Sequence, residues 1–169
     1  MIILKAISFH LTCLFAVVWV ECMAGLLGVW LPLSGIYVFY VMISRGLYQA
    51  LICMSLLMVY VESTCGYNNG FLSLSFIFVA YFWRDIGDCR RFFPQFFPCA
   101  VASFVGLIMT FLWVTPFGAW GRILHVFVPA VFFMTVLSPL MVAALDFVSD
   151  SAKLPRFTVL DNYIDEIWE

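Results

Sequence analysis

Residues 123–145 read ILHVFVPAVFFMTVLSPLMVAAL, 23 consecutive positions without an Asp, Glu, Lys or Arg. At a rise of about 1.5 Å per residue, roughly 20 apolar residues in a helix cross a hydrocarbon layer about 30 Å thick. The rest of the chain repeats this pattern. Of its 169 residues, 65% are apolar and 11% are charged, and the mean hydropathy is +1.08. A soluble domain is roughly 45–50% apolar and about 25% charged. Eight Lys and Arg against ten Asp and Glu cannot coat a water-exposed surface, and they offer no basic face for nucleic acid. The composition excludes an ordinary cytosolic enzyme and a disordered chain, and it leaves an all-α integral membrane protein.

The charges cut the chain into six uncharged blocks, of 15, 23, 16, 21, 30 and 23 residues. These predict six helices near residues 4–21, 29–44, 46–62, 69–84, 96–114 and 123–146. The second and third are short and nearly continuous, so five spans is the alternative. A membrane barrel strand would alternate polar and apolar side chains, and these runs are apolar on both faces. Gly- and Pro-rich pieces at 25–32 and 116–121 predict turns, as does Gly-Tyr-Asn-Asn-Gly at 66–70, where Gly and Asn tolerate positive φ. Residues 1–148 read as one polytopic membrane domain and 149–169 as a short acidic cytoplasmic tail. Glu21 stands where signal-peptide cleavage requires a small residue, so the first helix reads as uncleaved.

Basic residues of short loops collect on the cytoplasmic side. With six spans and an inner N-terminus, Lys5, Arg45, Arg84, Arg90, Arg91, Lys153 and Arg156 fall inside, and Arg122 alone falls outside. This places both termini in the cytoplasm.

Few side chains suggest chemistry. Glu62 and Glu21 close the third and first runs. Each reads either as a carboxylate that reaches interfacial water or as a polar contact to a partner helix, and the first reading is preferred for both, more strongly for Glu21. Arg122 is a possible mate for either. His10 and His125 have no ligand-spaced neighbours and read as packed or hydrogen-bonded helix residues. The six cysteines, Cys13, Cys22, Cys53, Cys65, Cys89 and Cys99, form no C-x-x-C pair. They read as small hydrophobes, with neither a zinc site nor a disulfide. Arg84, Arg90 and Arg91, broken by Asp85 and Asp88, form a cytoplasmic basic loop that anchors topology or grips lipid phosphates. Pro129 and Pro139 are expected to kink the last helix. Ala102 and Gly106, one turn apart, offer a small-residue contact face on the fifth. No nucleophile elbow, Walker loop or metalloprotease motif occurs. The chain therefore reads as non-enzymatic, with no cofactor and no metal.

From Asp146 to Glu169 the chain holds six acids against Lys153 and Arg156, a net charge of −4. Leu160, Ile164, Ile167 and Trp168 fall on one stripe if the tail is helical. Such a short helix needs a surface to bury against, either the basic loop or a cytoplasmic partner; the alternative is a frayed tail.

The stretch from Pro32 to Tyr81 resembles the bacterial rod-shape-determining protein MreD family. Pro32 opens an apolar run with Tyr37, and Arg45 follows. Then come Glu62, Gly66 and Gly70, with Ala80 and Tyr81 ten and eleven residues after the second glycine. The family commonly has Asp where this chain has Glu62, and Ser where it has Cys65. The resemblance implies a non-enzymatic component of the cell-elongation and wall-synthesis machinery in the bacterial inner membrane. Its implied partners are MreC, MreB, RodA and the wall transpeptidase. It also implies a compact bundle similar to the S components of energy-coupling-factor vitamin transporters. A substrate-binding subunit of that type is the alternative function.

Overall fold

Helix boundaries follow backbone chemistry more closely than they follow charge. The structure, a computed structural model, describes residues 2–27, 31–65, 70–83, 95–114, 120–152 and 154. These form α1 (Ile2–Leu26), α2 (Leu33–Arg45), α3 (Leu47–Cys65), α4 (Gly70–Trp83), α5 (Phe96–Val114) and α6 (Trp120–Ser151). The described residues include no strand. The six expected helices are present in order, and their ends shift. α1 runs on through Glu21 and Cys22, because a single charge does not break a helix. α2 starts only after Pro32, since a proline disfavours helix in the residue before it. α6 begins three residues before the expected position and continues to Ser151, so 149–151 belong to the helix rather than to the tail. Two segments, Lys5–Leu26 and Phe127–Ser151, are long and apolar enough to cross a membrane by length and composition.

Gly46 separates α2 from α3. Its φ of +94° with ψ of 177° lies in a region open essentially to glycine alone. Its amide donates to the Met42 carbonyl at 3.2 Å, and its own carbonyl accepts from the Ala50 amide at 3.1 Å. One residue thus ends α2 and starts α3, and α3 packs back against α2. The two are therefore separate helices.

α2 is the centre of the fold. Every residue from Ser34 to Arg45 is buried, and the helix packs against α1, α3, α4 and α6. Its contact with α4 is built on Phe76, whose ring meets Phe39 edge-on at 6.0 Å and fills the space over Gly35. α4 and α5 meet most closely at Gly106. A Cβ there would lie 2.9 Å from the Leu72 Cα, so the two backbones approach with no room for a side chain. Beside it, the Ser75 hydroxyl reaches the Leu72 carbonyl at 2.7 Å and the Ala102 carbonyl across the interface at 2.8 Å. The small-residue face expected at Ala102 and Gly106 is therefore the α4–α5 contact.

α6 continues as a single helix through Pro129 and Pro139. A helical proline leaves the carbonyl four residues earlier without its amide donor. For Pro139 that carbonyl belongs to Thr135, and the buried Ser138 hydroxyl donates to it at 3.0 Å. The sequence supplies the replacement donor one residue before the proline.

Candidate functional site

One set of interior polar groups lies along α2, where it meets α1 and α6. At the start of α2 stands Pro32, which makes no side-chain cap. The first amides of a helix need acceptors, and a proline has none to offer. Glu21, 1% exposed on α1, supplies one. Its Oε1 accepts from the Ser34 amide and from the Ser34 hydroxyl, each at 3.0 Å. A carboxylate at this place also meets the positive end of the α2 dipole. Glu21 thus does not reach for surface water, as the preferred reading of the sequence had it. Burial against α2 and two hydrogen bonds make it a cap delivered from the neighbouring helix.

Further along, His10 Nδ1 on α1 lies 2.8 Å from the Tyr37 hydroxyl, which also faces the His10 carbonyl at 3.3 Å. This is the hydrogen-bonded helix histidine that the sequence suggests. On the α6 side, the Tyr40 hydroxyl donates to the Leu145 carbonyl at 3.4 Å and also meets the Ser149 side chain. The Ser44 hydroxyl turns back to the Tyr40 carbonyl at 2.8 Å. Arg45 ends α2, and its guanidinium lies within electrostatic range of both Tyr37 and Tyr40. It is 8% exposed, so it is drawn into the packed end of α2 rather than held out in a solvated loop. A cation there complements the helix C-terminus.

These groups form a seam of hydrogen bonds that ties α1 and α6 to the central helix. Among the described residues no group of three or more His, Cys, Asp or Glu is placed to hold a metal ion.

No family model, no curated protein and no solved structure matches the chain.

The residues singled out in the sequence are distributed as follows. Pro32 and Arg45 bracket α2. Ala80 is fully buried on α4, while Tyr81 beside it faces outward and meets the Phe82 ring edge-on at 5.5 Å. Gly70 opens α4, and the positive-φ glycine among the described residues is Gly46. Glu62 lies in the last turn of α3, with its side chain outside the described set. Gly66, the basic loop with Arg84, Arg90 and Arg91, and the tail residues Leu160, Ile164, Ile167 and Trp168 lie outside the described residues, as does the Arg122 side chain. His125 is exposed on α6 rather than packed.

One expectation about the cysteines is overturned. Cys13 and Cys53 are free thiols, but Cys22 is disulfide-bonded. Close C-x-x-C spacing is the local signal a sequence offers, whereas a disulfide needs only that two cysteines meet in space. Glu21 escaped for a similar reason. Its partner is thirteen residues away in sequence, and the available signal was a helix opening on a proline that cannot cap itself.

Proposed function

We propose that the chain is a polytopic membrane protein of the MreD type, a non-enzymatic docking component of the bacterial cell-elongation machinery. The observation that carries the membrane part is the outward face of the helices. Phe15 and Trp19 on α1, Ile52 and Val59 on α3, Phe78 on α4 and Phe132 on α6 are each more than half exposed, on helices whose interior holds the polar groups. Water does not tolerate apolar surface on so many helices at once, and a lipid environment accepts it. α2, with 13 residues and a length of about 20 Å, is too short to cross a bilayer exposed to lipid. Buried from Ser34 to Arg45, it meets neighbouring helices rather than lipid as it crosses. The MreD part rests on the linked order of Pro32, Arg45, Glu62, Gly66, Gly70, Ala80 and Tyr81. That order spans α2 to α4, the segment centred on the buried helix. The basic bias supports an orientation with both termini in the cytoplasm, the inner membrane follows from the MreD reading, and MreC is the proposed direct partner. MreB, RodA and the transpeptidase belong to the same assembly.

The test is affinity purification of the full chain from bacterial membranes in mild detergent, followed by mass spectrometry. Recovery of MreC and RodA is expected. Recovery of an energy-coupling ATPase module instead would replace this function with that of a transporter S component.

A further inference from the structure

We infer that residues 140–151 of α6 form a hinged arm that pivots at Pro139 and is latched to α2 by Tyr40, so that its release uncovers the polar end of the central helix. The pivot is a gap in the backbone ladder. Pro139 brings no amide to the Thr135 carbonyl, and its ring crowds that carbonyl. The acceptor is served instead by the Ser138 hydroxyl, at 3.0 Å. A hydroxyl is a rotor that follows the carbonyl as the helix bends, whereas an amide is fixed in the ladder. Sharp bends in helices collect at prolines for this reason. The other proline, Pro129, lies in the half of α6 that is fastened to α5.

The two sides of Pro139 are held unequally. Before it, the Phe127 ring packs against Phe104 and Phe111 of α5, at centroid distances of 5.6 and 5.8 Å, and Ala130, Met134 and Ser138 are buried. Beyond it, Val142 and Ser149 are the buried residues of 140–151, while Leu140, Phe147 and Val148 are exposed. The tie across to α2 is polar. The Tyr40 hydroxyl donates to the Leu145 carbonyl at 3.4 Å and meets the Ser149 side chain. The first of these is longer than an ordinary O–H···O bond, so the latch holds the arm and can release it. Leu154 closes the far end, with its side chain buried and its amide donating to the Ser149 carbonyl at 3.1 Å. Tyr40 is 3% exposed under the arm. A swing about Pro139 uncovers it together with Ser44, one turn further along the same face of α2. Phe147 lies eight residues, about 12 Å, beyond the pivot, and a tilt of about 20° displaces it by roughly 4 Å.

The experiment measures two distances by double electron–electron resonance on the full chain in lipid nanodiscs, with the six native cysteines replaced by Ala. Nitroxides on Phe78→Cys and Phe147→Cys report the arm against α4. Nitroxides on Phe78→Cys and Val128→Cys report the fastened half of α6. All three positions are exposed. With the latch intact, each pair is expected to give one narrow distribution. Tyr40→Phe is expected to add a second population to the arm pair, shifted by roughly 4 Å, and to leave the other pair unchanged. Ser149→Ala is expected to act in the same sense from the other side of the latch. Adding Pro139→Ala to Tyr40→Phe restores the missing amide, and the second population is expected to disappear. An arm distribution unmoved by both Tyr40→Phe and Ser149→Ala overturns the inference. So does an equal change in both pairs, or a second population that survives Pro139→Ala. The distances are read on the purified chain, so they are decided separately from whether MreC co-purifies.

Discussion

Glu21 carries more of the architecture than any other charged residue. Its carboxylate supplies the acceptor that Pro32 cannot, so the start of the central helix depends on a side chain from α1. Replacing Glu21 by Ala leaves buried Ser34 donors without that acceptor, which costs about 1–3 kcal/mol for such a group. Glu21→Gln keeps an acceptor oxygen at the same reach and loses the charge, so its cost should be smaller. The expected thermal midpoints of the purified full chain in detergent fall in the order parent, Glu21→Gln, Glu21→Ala. An Ala variant as stable as the parent would show that the cap is dispensable. The sequence marks Glu21 as an acid that needs a reason, but it does not name Ser34. Capping between helices leaves no local spacing to read. The reverse holds at Gly46, where the physical demand is local. A glycine between two apolar runs is a visible break, although its φ of +94° is a property of the folded joint.

Helices were the most legible features, because uncharged blocks of helical length register directly in the sequence. Their ends were less legible, because charge was used as the boundary while propensity and proline set it. The contact between α4 and α5 shows how far a sequence signal reaches. Ala102 and Gly106 flag a close face on α5, and only the fold shows that its mate is the Leu72 backbone on α4. Gly35 on α2 has equally little room, but there the obstacle is the Phe76 ring, 2.8 Å from the position a Cβ would take. A ring can swing, whereas a backbone moves only with its helix. Gly106→Ala is therefore expected to destabilise by about 1–3 kcal/mol through overpacking. Alanine's better helix propensity, worth roughly 1 kcal/mol, offsets part of this at both sites. At Gly35 that gain should cover most of the cost. Thermal melts of the two single variants should place Gly106→Ala clearly below Gly35→Ala. The opposite order would show that α4 and α5 can slide apart more easily than Phe76 can turn.

At the scale of the whole molecule, the proposed orientation rests on an asymmetry of charge. Seven of the eight basic residues fall on one side when six helices are counted, including Arg84, Arg90 and Arg91 between α4 and α5. Cations resist transfer across the membrane, so short loops rich in them stay in the cytoplasm. Site-directed labelling tests this directly. All six native cysteines are replaced by Ala. A single new cysteine is then introduced by Arg90→Cys or by Arg122→Cys. A membrane-impermeant maleimide added to intact cells should modify the Arg122→Cys chain and leave the Arg90→Cys chain unmodified until the membrane is permeabilised. The cysteine-free background should remain unlabelled in either condition. Labelling of position 90 from outside would invert the proposed orientation.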